Sequence, residues 1–352
     1  MEKNVFSNLS IDNEDHESRD IRRLFAITFS LYNFSENYNI LYKKDADCTI
    51  AKELISLYYK RIKPNYSNMI YSFKKKYIIN EALVEKNDTQ EQKRGLKAVY
   101  DYIQNYSKDA EEFNILIESL RISELLWKPT DQKHLEDLDA EKDKCFAMIQ
   151  EAKEEKNMEK YKQAKAKLRE LSTITADNKI GGRIRQDSDE VDLLGYEILV
   201  PSGVEARIFI NSFSSPEKRK EFLEHLKNDN EIDYIEYCVK ICADLIKYQP
   251  FKDGNKRTFR SLLNLMFKEK DLPPVYIRPK EREEYHKVLF EAIQNGNYDN
   301  LVKFYNFKIC DSIYELDVAP YIIRKVFNQT PEIKENNKEK KLKLNDENLS
   351  KK

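Results

Sequence analysis

The sequence predicts a mainly α-helical protein that carries one small β-hairpin. Glycine is rare and clustered: the 352 residues contain seven glycines, six of them between Gly181 and Gly296, so tight turns concentrate in that window. Elsewhere apolar residues recur at three- and four-residue spacing, as in Leu96, Val99 and Ile103, which is typical of amphipathic helices. With 22 Tyr and 17 Phe, a chain of this length has enough apolar mass for a large core.

Composition divides the chain into segments. Residues 1–18 are acidic and polar and are predicted to be a mobile arm, and residues 19–90 are predicted to form an N-terminal helical region. Residues 91–320 are predicted to be the main domain, with a helical hairpin inserted at 133–171. The Lys/Glu/Asn-rich residues 331–352 lack apolar periodicity, which predicts a disordered tail.

The hairpin prediction rests on a chain break and two apolar seams. A break in the helix is predicted at Trp127-Lys128-Pro129, because proline is unfavourable in the interior of a helix. Lys156-Asn157 is predicted to be the turn between two long helices. The seam residues have coiled-coil spacing: Leu138, Cys145, Ile149 and Ala152, then Tyr161, Ala164, Leu168 and Leu171. The hairpin either self-associates or docks a partner, or it is a solvated hairpin without one.

Charge, cysteine content and hydropathy exclude several classes of protein. A net charge of −1 gives no general attraction to nucleic acid or to an anionic membrane surface. Five Cys without paired spacing indicate a reducing compartment. The chain has no apolar run near the ~18 residues of a membrane span and no signal-peptide core at its N-terminus. We therefore expect a cytoplasmic protein, although an effector translocated by a dedicated machine has the same features.

The most informative segment is residues 249–260, Gln-Pro-Phe-Lys-Asp-Gly-Asn-Lys-Arg-Thr-Phe-Arg. Helical spacing precedes it, and Pro250 ends that helix. Helical spacing resumes at Phe259, Leu262 and Met266. Asp253-Gly254-Asn255 is therefore predicted to lie at a helix N-terminus, where unpaired backbone amides bind anions.

Each side chain of this loop suits a polyphosphate ligand. Gly254 allows a positive φ and a close approach of phosphate, and Asn255 is a good helix cap. Asp253 is a hard oxygen ligand suited to Mg²⁺. Lys256, Arg257 and Arg260 supply positive charge. The competing interpretation is a capped helix whose charges are merely solvated.

The order of these residues resembles the signature of the Fic (Fido) family, His-Pro-Phe-x-Asp/Glu-Gly-Asn-Gly/Lys-Arg-x-x-Arg. Every position matches except the first, where Gln249 replaces His. Gly182 to Arg185 is similar to the Gly-x-x-Arg that precedes the family's β-flap. Residues 196–200 and 204–210 are predicted to be two short strands around Pro201-Ser202-Gly203, in the place of that flap.

The resemblance implies a protein adenylyltransferase, which moves AMP from ATP onto a protein hydroxyl. It implies that Asp253 holds Mg²⁺, that Gly254 and Asn255 cradle phosphate, and that Arg257 and Arg260 bind phosphates. Lys256 is similar to the Doc branch, which includes kinase-like toxins, and adds charge to the nucleotide site. The target protein is expected to bind at the flap, residues 196–210.

Gln249 occupies the position of the family's catalytic base. An amide does not accept a proton near neutral pH, and loss of a general base typically lowers the rate by about 10²–10⁴-fold. His225 and His286 lie in the same region but outside the loop, so a surface or capping role is the favoured interpretation of both. Tyr248 adjoins Gln249, but a phenol of pKa about 10 is a poor base.

Glu81 is a candidate inhibitory residue. Many Fic proteins hold a helix with Ser/Thr-x-x-x-Glu-Gly/Asn, whose Glu pairs with the second arginine of the motif. Tyr77 to Ala82 occupies a similar place, so Glu81 could pair with Arg260, although the Ser/Thr and the Gly/Asn are absent. The competing interpretation is an ordinary charged residue on an amphipathic helix.

Three function classes follow. The favoured one is a nucleotide-binding pseudoenzyme of Fic fold that is impaired by Gln249. The second is an active adenylyltransferase or a Doc-like phosphotransferase, and the third is a helical scaffold whose loop binds nothing.

Overall fold

The computed structural model describes residues 51–52, 55–56, 58–62, 70–86, 89–173, 179–189 and 200–313. The predicted arm at 1–18 and the predicted tail at 331–352 lie outside these residues. The chain divides into two compact units. One comprises residues 1–73 and 309–352 and includes a π-helix, Tyr58–Ile62. The other, Lys74–Lys308, holds the loop at 249–260.

The described residues are mainly α-helical, as the sequence predicted. The helices are α1 Ile70–Val84, α2 Gln90–Asn105, α3 Ile115–Glu154, α4 Met158–Thr173, α5 Gly203–Ser212, α6 Pro216–Asn228, α7 Glu231–Tyr248, α8 Asn255–Glu269, α9 Arg282–Asn295 and α10 Asp299–Ile313. A 3₁₀ turn, Pro279–Glu281, precedes α9. The described ranges contain no β-sheet, and their one β-bridge pairs Ile184 with Phe251.

Helix α8 is the centre of the larger unit. Nearly all of its residues are buried, polar ones included, and it packs against α2, α3 and α7. Phe259, Leu262, Leu263 and Met266 are fully buried. A helix that is buried on all sides fixes the position of the loop that precedes it, because close-packed interiors leave little room for displacement.

The predicted second flap strand is wrong. Residues 203–212 form α5, which begins with a capping box: Ser202 Oγ accepts from the N–H of Glu205 at 3.2 Å, and the Glu205 carboxylate accepts from the N–H of Ser202 at 2.7 Å. Ala206 and Ile210, four residues apart, are buried on one side of this helix. The capping box satisfies backbone donors that a strand would need to pair elsewhere. Residues 196–199 of the first strand lie outside the described residues.

The predicted break at Trp127-Lys128-Pro129 is also wrong, because α3 continues through Pro129. A proline inside a helix costs about 3 kcal/mol. Helix α3 is held on both sides of it, by buried Ile122 and Leu126 before the proline and by the hairpin seam after it. Helices α3 and α4 pack together around Leu138, Cys145 and Leu171, with Leu168 against them.

None of the helices within the described ranges combines the length and the apolar character that a membrane span requires. The four described cysteines are buried free thiols: Cys145, Cys238, Cys242 and Cys310.

Candidate nucleotide site

Gln249 ends helix α7 in a left-handed conformation, with φ 47° and ψ 56°. Its backbone N–H donates to the carbonyls of Leu245 and Ile246 at 3.2 and 3.3 Å. Its side-chain Nε2 also donates to the Ile246 carbonyl, at 2.7 Å. The side chain is 5% exposed, so the amide at the position of the family's base is engaged at the end of its own helix.

An extended segment, residues 183–185, runs beside the start of the loop. The N–H of Arg185 donates to the Pro250 carbonyl at 2.9 Å, and the N–H of Lys252 donates to the Arg183 carbonyl at 3.0 Å. The Arg185 guanidinium donates to the carbonyls of Gln249 at 2.7 Å and Tyr248 at 3.2 Å. Arg185 thus satisfies carbonyls that the end of α7 leaves without helical partners.

Asn255 closes the loop with its side chain. Its Oδ1 accepts from the N–H of Phe251 and its Nδ2 donates to the Phe251 carbonyl, each at 2.8 Å. The N-cap of α8 is Gly254, which makes no side-chain cap, so the expectation that Asn255 caps the helix is wrong. The side-chain amide of Asn255 instead bonds across the turn to the backbone of Phe251. The backbone of Asn255 belongs to the first turn of α8.

Gly254 lies against Trp127 of helix α3. Its φ is +76°, and a Cβ at this position would lie 2.7 Å from Trp127 Nε1. The Arg257 guanidinium carbon is 4.8 Å from the centroid of the same indole ring, within the range of cation–π attraction. Asp253, the residue before Gly254, is exposed, and its carboxylate accepts a hydrogen bond from the N–H of Gly254. No sequence pattern predicts Trp127 at this position, because its segment is predicted to be a break in the helix.

Arg260 is held by two carboxylates from α1 and its C-terminal end. Its Nε donates to Glu81 Oε2 at 2.8 Å, and its Nη1 donates to Glu85 Oε1 at 2.7 Å. The other oxygen of Glu81 accepts from the N–H of Ile277 at 3.2 Å. Lys256 Nζ lies 3.3 Å from Glu85 Oε2. The predicted contact between Glu81 and Arg260 therefore exists, and Glu85 extends it to a second cation of the loop.

Tyr77 occupies the place of the Ser/Thr in the pattern for the inhibitory helix. Its hydroxyl is 3.3 Å from Ser261 Oγ on α8, and its ring packs on Tyr100 with the centroids 5.0 Å apart. The two hydroxyls join α1 to α8 beside the Arg260 ion pairs.

Burial and charge both change the ionisation of these groups. Burial favours the neutral form of Glu85, but Arg260 and Lys256 outweigh it and lower the pKa of this carboxyl to about 2. Burial alone would lower the pKa of Arg260, and Glu81 and Glu85 instead raise it well above its ordinary value. Burial lowers the pKa of Arg257. The ion pair between Glu85 and Arg260 therefore stays charged throughout the neutral pH range.

Neither candidate histidine is bonded to Gln249. His225 Nδ1 lies 2.7 Å from Asp229 Oδ2, and the ring stacks on Tyr237. His286 is buried on α9. Burial, together with the charges of Lys256 and Arg282, lowers its pKa to about 4.

The remaining neighbour of Gln249, Tyr248, stacks its ring on Phe209 with the centroids 3.9 Å apart. This stacking engages the face of the ring. The stacking holds the ring of Tyr248 against helix α5.

The described residues contain no cluster of three or more His, Cys, Asp or Glu side chains that could hold a metal ion by themselves. Mg²⁺ differs from Zn²⁺ in this respect, since it is commonly bound by one or two carboxylates together with the phosphates of a nucleotide. Asp253, exposed beside a helix N-terminus, fits that kind of shared coordination.

Comparison with known families gives the decisive observation, since a sequence model described as the Fic/DOC family matches residues 166–267. Residues 166–267 are therefore similar to the Fic/DOC family over less than a third of the chain. The matched range begins in α4 and ends in α8, so it includes the whole loop.

Two similar proteins are named as adenylyltransferases. One is the protein adenylyltransferase Fic of Nematostella vectensis, 35% identical over 80 residues, which are 22% of this chain and 18% of that protein. The other is the protein adenylyltransferase fic-1 of Caenorhabditis elegans, 36% identical over 78 residues, or 22% of this chain and 15% of that protein. The matched segment thus spans less than a fifth of either relative.

Solved structures with similarity to the chain also come from Fic proteins. Fic-1 from Caenorhabditis elegans has a TM-score of 0.45 at 14% identity, over 87% of this chain and 71% of that chain. A Fic-domain-containing signaling protein from Bacteroides thetaiotaomicron has a TM-score of 0.42 at 14% identity, over 86% and 97% respectively.

Proposed function

We propose that this chain binds Mg²⁺–ATP at the loop between α7 and α8 and is impaired in transferring AMP to protein hydroxyls. The observation that supports this most directly is the contrast within the loop. The phosphate-binding part of the family motif is present, whereas the side chain at the base position is an amide that donates to the Ile246 carbonyl.

The placement of the loop residues supports a proposed role for each of them. The backbone amides of the first turn of α8, from Asn255 onward, are proposed to face an anion, because helix N-termini leave donors unpaired. The N-cap Gly254, whose own N–H donates to Asp253, completes the anion cradle. Arg257, Arg260 and Lys256 bind the phosphate oxygens by charge-assisted hydrogen bonds. Asp253 holds the Mg²⁺, which supplies neutralisation of phosphate charge when it is bound.

The missing function is proton removal from the target hydroxyl. Gln249 has no proton-accepting nitrogen near neutral pH, and the described structure offers no histidine bonded to it. We therefore expect ATP to bind without efficient transfer, with a rate about 10²–10⁴-fold below that of the same site with a base.

Calorimetry and a labelling assay test both halves of the proposal. Mg²⁺–ATP is titrated into the wild type and into Arg257→Ala, and label from ATP is followed in wild type, Gln249→His and the matched Gln249→Ala. Binding by wild type, weakened in Arg257→Ala, with label transfer only by Gln249→His, supports the proposal. Absence of ATP binding by wild type would refute nucleotide binding and leave the scaffold interpretation.

A second candidate is an active adenylyltransferase or a Doc-like phosphotransferase. It is favoured by Lys256, which adds a third cation to the proposed phosphate site beside Arg257 and Arg260, and by the dependence of phosphoryl transfer on positioning and electrostatics more than on a base. Mass spectrometry separates it from the first: a robust mass gain in wild type that Gln249→Ala leaves unchanged supports this candidate.

We also propose that Glu81 inhibits the site. Both of its oxygens are engaged, one by Arg260 and one by the Ile277 N–H, so a phosphate must replace Glu81 to bind Arg260 fully. Glu81→Gln should tighten Mg²⁺–ATP binding in calorimetry. An unchanged or weaker affinity would exclude inhibition by Glu81.

Two partner sites are part of the proposal. A target protein is proposed to bind at residues 196–210, where Val204 and Ile208 expose 52% and 66% of their surface on one side of α5. Ile208→Asp should then lower label transfer to the target by Gln249→His without changing ATP affinity.

A second copy of the chain is proposed to pack on the 133–171 hairpin, where Phe146 and Met148 are exposed. Phe146→Ser should then dissociate such a dimer, which sedimentation velocity would detect as a lower weight-average sedimentation coefficient.

A further inference from the structure

One face of helix α3 is directed at the glycine turns beside the loop. Ser123, Trp127 and Asp131 lie four residues apart, so they share a side of the helix. Ser123 Oγ accepts from the N–H of Gly182 at 3.1 Å. Asp131 accepts from the N–H groups of Ile180 and Gly181, each at 3.1 Å. The outer two members of this stripe are thus paired with backbone amides.

The middle member has a donor without an acceptor. Trp127 is 7% exposed, and its Nε1–H is buried with no hydrogen-bond partner among the residues that the structure describes. A buried unpaired donor is destabilising, and buried indole N–H groups usually find a partner. This N–H lies against Gly254, the residue that precedes the first turn of α8, which is where anions bind to helix N-termini.

The indole ring has a second relation to the same site. The Arg257 guanidinium stacks on it at 4.8 Å, and Arg257 Nη2 is 3.6 Å from the position that a Cβ of Gly254 would take. The N–H therefore lies against a residue without a side chain, and the guanidinium of Arg257 lies close to the same glycine.

We propose that Trp127 is a phosphate-contacting residue of this site, whose Nε1–H donates to an oxygen of the polyphosphate bound at the N-terminus of α8. Its ring positions Arg257 for the same ligand. The inference rests on the proposed binding of nucleotide and adds a residue that lies more than 100 positions before the motif.

The chain contains a single Trp, so its tryptophan emission reports on the surroundings of Trp127. The wild type is titrated with Mg²⁺–ATP and with inorganic triphosphate while its tryptophan emission is followed, and calorimetry is run in parallel. We expect a saturable change of emission with the calorimetric midpoint for both ligands. Emission that stays constant while calorimetry shows saturation would overturn the inference.

The variant Trp127→Phe removes the N–H and keeps an aromatic ring under Arg257. Its affinity for Mg²⁺–ATP should fall about tenfold or more, as for loss of one hydrogen bond to a charged group. Tyr234→Phe is the matched control, since it removes a buried aromatic donor to the Met266 carbonyl, and it should leave the affinity unchanged.

The outcomes separate the two proposals. Binding by wild type that Trp127→Phe leaves unchanged overturns the role of Trp127 and leaves the proposed function intact. Absence of binding by wild type overturns both. If Trp127→Phe does not fold, the fluorescence titration of wild type decides.

Discussion

Replacing Glu85 by Gln tests the charge network that joins α1 to the loop. Glutamine keeps the size of the side chain and one acceptor oxygen, but it removes the charge that Glu85 shares between Arg260 and Lys256. It therefore resembles the protonated form of Glu85. The cost of the substitution at neutral pH should equal the stability that ionised Glu85 contributes.

The pKa of Glu85 gives the magnitude. Its value in the folded protein is about 2, against an ordinary value of 4.5, a difference of about 2.5 units. At 1.36 kcal/mol per unit, Glu85→Gln should lower the free energy of unfolding by about 3 kcal/mol at pH 7. Because the pKa is lowered on folding, this contribution is complete above pH 4.5 and decreases as the pH falls toward 2. At pH 3.5, one unit below the unfolded value, about 1 kcal/mol of it should be lost.

Urea denaturation of wild type and variant at pH 7 and pH 3.5 measures these differences. Glu236→Gln is the control, since Glu236 pairs with Lys240 on the surface of α7 and both side chains are 45% exposed. Such pairs contribute about 0–1 kcal/mol. A cost for Glu85→Gln below about 1 kcal/mol at pH 7, or one that is the same at pH 3.5, would refute the reasoning.

Three further changes probe the loop and its surroundings. Gly254→Ala should destabilise the fold more than Gly296→Ala, since both glycines have positive φ but only Gly254 would bring a Cβ to 2.7 Å from Trp127; equal costs in thermal denaturation would leave backbone strain as the whole effect. Asn255→Ala breaks both bonds that close the loop and should cost about 2–4 kcal/mol in urea denaturation, where a cost within 0.5 kcal/mol would contradict the closure. His286 has a pKa lowered to about 4, so it should stay neutral down to about pH 5 in an NMR titration. The free energy of unfolding should fall between pH 6.5 and pH 4, because over that range only the unfolded chain gains the proton. A titration midpoint near pH 6.5 would contradict the burial of His286.

The features that the sequence predicted correctly are those that depend on residues a few positions apart in the chain. The end of α7 at Pro250 and the start of α8 near Gly254 follow from proline, glycine and apolar spacing within a few residues. The second flap strand failed for the same kind of reason, since Val204, Ile208 and Ile210 have β propensity while Ser202 and Glu205 form a capping box. The Ser-x-x-Glu spacing was readable, and it outweighed propensity.

The residues that sequence missed act across long distances in the chain. Trp127 contacts a loop more than 120 residues away, and Glu85 contacts Arg260 across 175 residues. No periodicity near either residue marks such a contact. Two signals were available in the sequence: Trp127 is the single Trp, and Glu81 and Glu85 are four residues apart, which places them on one side of a helix. Only the packing of the folded chain determines which residues that side contacts.

If the loop binds nucleotide as proposed, its charges link that binding to the docking of α1. Lys256, Arg257 and Arg260 carry three positive charges, and Glu81 and Glu85 hold two of these side chains by salt bridges. A polyphosphate needs the same guanidinium, so ligand and helix compete for it, and the two binding free energies are coupled. Glu85→Gln should then lower the stability of the fold while it tightens Mg²⁺–ATP binding. A scaffold whose loop binds nothing would show the first effect alone, so measuring both on one variant separates a restrained nucleotide site from a structural ion pair.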